Sequence, residues 1–169
     1  MQRRLTIEQT WDAVPIPETA QVVLSLRTPP TGGLGVTIEA PFYADPPPDG
    51  PPGPRWGLWD HEVVELFLVG QDGQYLEAEF GPHGHHLVLR LSGPRQIVER
   101  EITVPYIAEI RGDRWRGEAH LPASLLPSPV VRANAFAIHG EGEARRHLAW
   151  SPVPGPRPDF HQPSCFPLV

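Results

Sequence analysis

The sequence contains no lysine, one cysteine and one methionine, and these shortages exclude particular kinds of chemistry. All 14 basic residues are arginine, so no lysine is available to form a Schiff base with a carbonyl substrate. The single cysteine, Cys165, excludes an internal disulfide and any zinc site built from several cysteines. We expect Cys165 to pack near the C-terminus.

Long apolar runs are also missing. No stretch approaches the ~18 consecutive apolar residues that a membrane span requires. The start, MQRRLTIEQTWDAV, is basic but lacks the apolar run of a secretory signal, and we therefore expect a soluble, cytoplasmic protein. The net charge of −6 argues against a nucleic-acid partner. A length of 169 residues predicts one domain, 1–169, large enough to bury a core.

What the chain does contain is a series of short β-type runs separated by proline and glycine. No stretch has helical periodicity. This pattern predicts an all-β fold, an antiparallel two-sheet β-sandwich resembling a jelly roll. The Pro-rich segment 41–54 is expected to be a loop, because proline cannot occupy an internal strand, and 152–169 is expected to be an irregular tail. The predicted strands are 21–26, 35–40, 61–69, 75–80, 86–91, 97–104, 115–121, 130–140 and 147–151.

The third and fourth of these strands are predicted to form a hairpin that carries acidic side chains on one face. The connecting residues 70–74, Gly-Gln-Asp-Gly-Gln, are typical of a short hairpin loop. Pairing Val69 with Tyr75 places Glu65 opposite Glu79. Because side chains alternate between the faces of a strand, both carboxyl groups then lie on the same face of the sheet.

The next hairpin is predicted from the alternation of its apolar residues, which fixes a register. When the alternate apolar residues of the two strands pair with one another, one face of the hairpin is entirely apolar and can be shielded from water. This register puts Glu77 opposite Arg90. The residues expected to be buried together are Leu76, Ala78, Phe80, Leu87, Leu89 and Leu91. The charged patch on the other face is either a solvated surface with a cross-strand ion pair or a polar binding face.

Four sequence blocks carry a resemblance to a known family. They are LWDHEVVELFL, YLEAEFGPHGHHLVL, NAFAIHG and PDFHQP. On these blocks the chain resembles, from about Trp11 to Phe166, a family of uncharacterised proteins found in bacteria and animals. The resemblance implies a fold but no established activity.

That family is in turn similar, more distantly, to family-nine carbohydrate-binding modules and DOMON domains, which are β-sandwiches. This wider resemblance rests on the VELF strand at 64–67, the strand Trp115–Ala119 and the segment Ala149–Pro152. It implies ligand binding, with sugars or haem as precedents. His–Met haem ligation is disfavoured because the only methionine is Met1; bis-His ligation stays open.

The carbohydrate-binding relatives imply a set of ligand-binding residues. Such modules hold a terminal sugar between two tryptophans, which stack on its C–H faces, while a carboxylate and a guanidinium bind its hydroxyls. Here Trp59 and Trp150 would be the clamp and Arg90 the cation, and His147 stands where an asparagine is expected. Both tryptophans could instead be core residues. The predicted ligand-binding residues are Trp59, Glu65, Glu77, Glu79, Arg90, His147 and Trp150.

Two alternatives remain open at this level. Three histidines within the family-like blocks, His83, His139 and His161, could ligate zinc with a carboxylate or water, although no tight metal-binding spacing is present and turn-capping roles are equally compatible. Calcium is a further option, but no cofactor is expected. Glu77 and Glu79, two residues apart on a strand, could serve a hydrolase of glycosidase type. We expect a non-catalytic protein that binds a small polar ligand, most simply a carbohydrate, with a metal-assisted or carboxylate-based hydrolase as the alternative.

Overall fold

The computed structural model describes residues 2–169, and within them it shows thirteen strands joined by loops and short 3-10 turns. The strands are β1 (Gln2–Ile7), β2 (Gln9–Thr10), β3 (Val22–Arg27), β4 (Leu34–Pro41), β5 (Gly53–Pro54), β6 (Val63–Gly70), β7 (Tyr75–Phe80), β8 (His85–Leu91), β9 (Ile97–Glu99), β10 (Tyr106–Arg111), β11 (Arg114–Leu121), β12 (Val130–His139) and β13 (Arg146–Ala149). The 3-10 turns are Glu18–Ala20, Leu58–Asp60, Ala123–Leu125, Gly142–Ala144 and Pro163–Cys165.

The strands form two sheets. The five-stranded sheet has the order β1-β3-β4-β11-β10, and the eight-stranded sheet has the order β2-β13-β12-β6-β7-β8-β5, with β9 also paired to β8. Neighbours pair antiparallel except β5, which pairs parallel with β8. The predicted antiparallel two-sheet sandwich is therefore confirmed, whereas jelly-roll connectivity stays a prediction. No helix in residues 2–169 has the length and apolarity needed to cross a membrane.

The strand predictions differ from the structure at five places. The run predicted at 97–104 is a strand only over Ile97–Glu99, and β1, β2, β5 and β10 were not predicted; β5 lies at the end of the segment 41–54 that was expected to be a loop. In β1, Leu5 and Ile7 are fully buried while the residues between and before them are partly or fully exposed. That alternation is typical of a half-buried strand. It was not recognised because the first residues of the strand are basic and polar.

The main core lies between the two sheets. Alternate side chains of both sheets meet there, and the faces that contribute them are called the inner faces below. Burial of each large aliphatic side chain contributes roughly 1.5–3 kcal/mol. Fully buried members from both sheets include Leu5, Leu24, Ile38, Leu66, Leu76 and Phe80.

A second core covers the opposite, outer face of the eight-stranded sheet. Phe67 and Phe136 project from the sheet, and Phe160 and Phe166 come from the C-terminal tail. The rings of Phe136 and Phe160 stack with centroids 3.8 Å apart, and Phe67 meets Phe136 edge-on at 5.4 Å. Because both faces are covered, every residue of β6 and β7 is buried.

The register of the first acidic hairpin is confirmed. Val69 pairs with Tyr75, and Glu65 lies opposite Glu79. The loop closes with the backbone N–H of Gly70 donating to the Gln74 carbonyl at 2.8 Å. Both glutamates therefore lie on the outer face, as the alternation predicts.

The register of the next hairpin is shifted by one residue from the predicted one. The β7–β8 turn closes with the backbone N–H of Gly81 donating to the His85 carbonyl at 2.9 Å, so Phe80 pairs with His86 and Glu77 pairs with Leu89. The six apolar residues predicted to be buried together are all buried, but on two faces. Leu76, Ala78 and Phe80 belong to the core between the sheets, whereas Leu87, Leu89 and Leu91 belong to the outer one.

The predicted pairing of Glu77 with Arg90 is therefore wrong. Arg90 pairs with Leu76, so its side chain leaves the opposite face of the sheet, where its Nη1 lies 3.3 Å from Oε2 of Glu99. The prediction failed because it assumed one dry face and one wet face. With both faces covered, the leucines of β8 can pack on the outer side and Val88 on the inner side, and the turn decides the register.

Candidate functional site

A cleft of about 380 Å³ opens over the outer face of the eight-stranded sheet. Its floor is formed by side chains that point outward from four adjacent strands: Glu65 and Phe67 of β6, Glu77 of β7, Leu89 of β8 and Ile138 of β12. The third carboxyl group, that of Glu79, lies on the same face opposite Glu65. The floor is therefore mostly apolar, with buried carboxyl groups set into it.

One wall of the cleft is aromatic. Trp56 and Trp59 stand with ring centroids 5.0 Å apart and nearly perpendicular. Between them Gly57 adopts a left-handed conformation with φ of 78°, which glycine tolerates without strain, and the following Leu58 is fully buried. The turn and its buried anchor hold both indoles at the cleft.

The opposite wall comes from the β8–β9 loop and the C-terminal tail. Arg95 of the loop and Asp159 of the tail form an ion pair, with Nη2 of the arginine 2.7 Å from Oδ1 of the carboxylate. The same oxygen accepts the backbone N–H of His161 at 3.0 Å. Phe160 packs on the floor through its stack with Phe136. These contacts tie the tail to the sheet and complete the cleft.

The carboxyl groups of the floor are almost inaccessible to water. Glu65, Glu77 and Glu79 have exposed fractions of 2%, 4% and 0%. Oε2 of Glu77 and both carboxyl oxygens of Glu79 have no hydrogen-bond partner among the described residues except each other, because a proton kept by one carboxyl group can be shared with the other. Buried polar groups are usually fully paired, so this under-satisfied carboxyl pair beside a cleft is a candidate for a functional role.

Burial raises the pKa of all three carboxyl groups, because the charged form is poorly solvated in the interior. The pKa of Glu77 rises from 4.5 to about 7, since burial outweighs the opposing influence of Glu79 and Arg95. The pKa values of Glu65 and Glu79 rise well above 4.5, first through burial and then through neighbouring carboxylates, with Arg145 partly offsetting the effect on Glu65. Near neutral pH the cluster therefore holds protons that ordinary glutamates have lost.

A hydrogen-bonded chain runs from the wall of the cleft to His161, whose ring lies beside Glu77. The backbone N–H of Arg95 donates to Oη of Tyr75 at 3.3 Å, and this hydroxyl lies 2.8 Å from Nδ1 of His161. Nε2 of the same ring is 3.9 Å from Oε2 of Glu77, which is too long for a hydrogen bond. Burial lowers the pKa of His161, so the imidazole beside Glu77 is neutral at neutral pH.

The structure brings together five of the residues that were predicted for ligand binding or as metal candidates. Trp59, Glu65, Glu77, His147 and His161 all line the cleft. His147 is half-buried beside Phe160, with ring centroids 6.0 Å apart, and burial lowers its pKa. Glu79 shares their face and couples electrostatically to Glu65 and Glu77.

Two predicted residues lie elsewhere, and the predicted tryptophan clamp is wrong. Trp150 follows β13 and packs against the core between the sheets, with the guanidinium of Arg3 5.6 Å from its ring centroid. It cannot face Trp59 across the cleft, because successive side chains of a strand point to opposite faces and His147 takes the outer one. Arg90 is also on the far side of the sheet from Glu77.

The three histidines proposed as metal ligands are separated in the fold. His83 packs edge-on against Phe42 at 5.8 Å, His139 stacks on Tyr43 at 3.6 Å, and His161 lies in the cleft. Within residues 2–169 no group of three or more His, Cys, Asp or Glu side chains is arranged to hold a metal ion. The zinc hypothesis therefore has no preformed ligand set in the described part of the chain.

Several cleft residues were not predicted from the sequence. Trp56 and Arg95 take the places that the resemblance gave to Trp150 and Arg90, a second indole and a cation. The block PDFHQP did contain a usable signal, since Asp159, Phe160 and His161 all line the cleft. No sequence pattern pointed to Arg95, because its position depends on the Arg95–Asp159 ion pair between two distant segments.

The fold and the cleft define this protein as a two-sheet β-sandwich with a ligand-sized cleft on the outer face of one sheet. The chain belongs to the UPF0462 family. It is 44% identical over 169 residues to the UPF0462 protein C4orf33 homolog of Rattus norvegicus, covering 95% of this chain and 84% of that protein. It is 42% identical over 164 residues to UPF0462 protein C4orf33 of Homo sapiens, covering 92% and 81%. No family model matches the chain.

The predicted resemblance to a family with animal members is confirmed by these relatives. A solved structure with a similar fold is that of a "putative carbohydrate-binding protein" from Bacteroides uniformis. It superposes with a TM-score of 0.70 at 17% sequence identity, covering 97% of this chain and 84% of that one. At this identity the likeness establishes the fold.

Proposed function

We propose that the cleft binds a small polar ligand, a carbohydrate, without chemical turnover. The observation that carries the proposal is the meeting of two buried carboxyl groups, those of Glu65 and Glu77, with an aromatic wall in one cavity of about 380 Å³. This volume lies within the roughly 300–1,000 Å³ usual for small-ligand sites. No metal or other cofactor is part of the proposal.

The chemistry of the lining matches a sugar in two ways. Pyranose rings present apolar C–H faces that pack on indole, as Trp56 and Trp59 provide. Their hydroxyls need directional hydrogen-bond partners, which Glu65, Glu77 and His161 provide on the floor and wall. The similar fold of the Bacteroides uniformis protein, whose description names carbohydrate binding, supports this ligand class.

Titration calorimetry of the wild type and of Trp59→Ala against neutral mono- and disaccharides tests the proposal. Loss of one stacking indole is expected to weaken binding roughly tenfold, since aromatic packing contributes ~0.5–1.5 kcal/mol beyond buried area and 1.4 kcal/mol is a factor of ten. Trp150→Ala is the matched control, because Trp150 lies on the other side of the sheet and its loss should leave affinity unchanged. Circular dichroism would verify folding of both variants. Equal affinity of folded Trp59→Ala and wild type contradicts the site.

A second candidate function, glycoside hydrolysis, is favoured by one observation. Glu77 has a pKa of about 7, so it is partly protonated at neutral pH, as a general acid must be. Glu65 or Glu79 would be the partner carboxylate. Release of nitrophenol from aryl glycosides by the wild type and its loss in Glu77→Gln would support hydrolysis. Saturable sugar binding without any turnover would exclude it for the sugars tested.

A further inference from the structure

The cleft holds more acidic groups than the chain's own cations neutralise. Oε2 of Glu77 and both carboxyl oxygens of Glu79 are buried, and in residues 2–169 they accept no N–H; their one partner is a proton that the two carboxyl groups can share. Arg95 lies near enough to influence Glu77 and Arg145 near enough to influence Glu65, but both arginines have other partners. Arg95 is paired with Asp159 at 2.7 Å, and Arg145 donates to the backbone carbonyls of Trp59 and Gly140.

The histidines of the cleft do not supply the missing charge. Burial lowers the pKa of both His147 and His161, so both rings are neutral at neutral pH. Nε2 of His161 is also 3.9 Å from Oε2 of Glu77, which is too long for a hydrogen bond. The titratable and charged groups around the three carboxyl groups, besides these groups themselves, are Asp60, Tyr75, Arg95, Arg145, His147, Asp159 and His161.

An aromatic wall stands over this acidic floor. Trp56, Trp59 and Phe160 all line the cleft. The faces of aromatic rings attract cations, by ~0.5–1 kcal/mol at exposed sites and more where water is excluded. The guanidinium of Arg100 already lies over one face of Trp56, 5.1 Å from the ring centroid, so the indoles of this wall do accept a cation. A carboxyl group and indoles that line one cleft are both favourable to a positively charged group that also has apolar surface.

We propose that the ligand is an amino sugar, whose protonated amine is held by Glu77 while its ring packs against Trp56 and Trp59. This proposal rests on the carbohydrate-binding function proposed above and specifies its substrate class. The ammonium group has three N–H donors and no acceptor. It therefore suits the carboxyl group of Glu77, whose Oε2 accepts no N–H in residues 2–169. Its hydrogen bonds to a carboxylate are charge-assisted and about twice as strong as neutral ones.

The proton balance of binding follows from this assignment. Before binding, the acidic floor retains protons near neutral pH because of burial. An ammonium ion beside Glu77 favours its ionised form. The carboxyl O–H bond then breaks and its proton leaves to solvent as the ammonium–carboxylate pair forms. Binding of a neutral sugar creates no new charge and releases no proton.

The test is calorimetric titration of the wild type with glucose, glucosamine and N-acetylglucosamine at pH 7, in two buffers of different ionisation enthalpy. N-acetylation removes the positive charge while keeping the ring. We expect glucosamine to bind at least tenfold more tightly than the other two sugars, because a hydrogen bond to a charged group is worth ~1.5–3 kcal/mol and 1.4 kcal/mol is a factor of ten. We also expect release of a fraction of a proton up to about one per glucosamine bound and none for glucose.

The outcomes separate the two proposals. Glucose and glucosamine binding equally, or glucosamine binding without proton release, overturns the amino-sugar proposal and leaves sugar binding intact. Failure of all three sugars to bind overturns both. In Glu77→Gln, which keeps the shape of the side chain, the preference for glucosamine over glucose should disappear. Glu118→Gln, on the exposed face of the other sheet, is the matched control and should keep the preference.

Discussion

The two sheets carry charged residues on their outer faces in opposite circumstances. On the five-stranded sheet, Arg116 lies between Glu39 and Glu118, with N–O distances of 3.2 and 2.9 Å, and all three side chains are about half exposed. On the eight-stranded sheet, Glu65, Glu77 and Glu79 are buried beneath a second core, and the last two have carboxyl oxygens that accept no N–H in residues 2–169. The same strand alternation thus produces a solvated surface on one sheet and an electrostatically costly cleft on the other.

The difference arises from what covers each sheet. Segments remote in sequence, Trp56–Asp60 and the tail after β13, lie over the eight-stranded sheet, while the outer charges of the five-stranded sheet meet water. Charges in water interact weakly because the dielectric constant is high. Charged groups that are buried beneath other side chains must become neutral by a change of protonation, form an ion pair, or bind a ligand. The comparison therefore favours the covered sheet as the location of the proposed binding site.

The largest expected effect concerns the cover itself. Phe136→Ala removes a fully buried ring that stacks on Phe160, and should lower the free energy of unfolding by ~3–5 kcal/mol. Ile107→Ala on β10 of the five-stranded sheet, where the side chain is 70% exposed, should change it by less than about 0.5 kcal/mol. Urea denaturation measures both. A similar cost for the two variants would mean that the outer layer is not a true core.

The next effect is the pH dependence of stability. The folded-state pKa of Glu77, about 7, lies above its usual 4.5, so between these values the folded state binds more protons than the unfolded state. Stability from this group is thus present at low pH and lost as pH rises through about 7. The neighbours Glu65 and Glu79 act in the same direction, and buried histidines such as His139, whose pKa is lowered to about 4, act oppositely.

A matched pair of variants isolates the contribution of Glu77. The free energy of unfolding of Glu77→Gln, relative to that of the wild type, should rise by up to roughly 3 kcal/mol between pH 5 and pH 8, because each unit of pKa shift is worth ~1.4 kcal/mol. The free energy of unfolding of Glu118→Gln, a variant in the solvated network, should differ from wild type by less than about 1 kcal/mol at either pH. Denaturant titrations at the two pH values provide the measurement. A gain for Glu77→Gln that does not grow with pH would contradict the raised pKa.

A smaller effect should distinguish Arg90, the cation predicted from the sequence, from Arg95, the cation that the structure places in the cleft. Arg90 lies on the other face of the sheet and is paired with Glu99. Arg95→Ala should weaken sugar binding by about tenfold, through loss of the wall that its ion pair with Asp159 holds, and Arg90→Ala should leave it unchanged. Calorimetry with one ligand suffices. Weaker binding in Arg90→Ala alone would favour the arginine that the family resemblance implies.

The smallest effect lies on the solvated sheet. Arg116→Ala should cost less than about 1 kcal/mol of unfolding free energy, because exposed ion pairs contribute little. The cost should shrink further in about 1 M salt, where the Debye length falls to roughly 3 Å. Thermal or urea unfolding at two salt concentrations measures this. A salt-independent loss of several kcal/mol would show that the network is not merely superficial.

The fold was predictable from the sequence because it depends on local signals: β-type alternation, turns rich in glycine and proline, and the absence of helical periodicity. The pairing of Glu65 with Glu79 followed for the same reason, since a short loop sets it. The β7–β8 register was not predictable, because Leu87, Leu89 and Leu91 pack under a cover that the sequence places some 70 residues away. A solvated sheet face with an ion pair was one interpretation of the charged residues on β6, β7 and β8. The structure has such a face on the other sheet, around Arg116.

The candidate site was predictable only in part for a related reason. Trp59, Glu65, Glu77 and His147 sit on or next to strands whose faces can be inferred from alternation. Arg95 and Trp56 lie in loops, and their positions depend on partners distant in the chain. The clamp implied by the family resemblance placed Trp150 beside Trp59, but the strand ending at Ala149 turns that indole to the opposite face.

The prolines of segment 41–54 have a consequence for self-association. The short strand β5, Gly53–Pro54, pairs with the start of β8, and β9 pairs with its end, so the outermost strands on this side of the eight-stranded sheet are only two and three residues long. Proline has no N–H to donate to a further strand. An edge that is short and ends in proline resists the addition of strands from another molecule, which is the first step in edge-to-edge aggregation. The proline-rich segment, which cannot form an internal strand, thus makes this edge of the eight-stranded sheet a poor template for strands of another molecule.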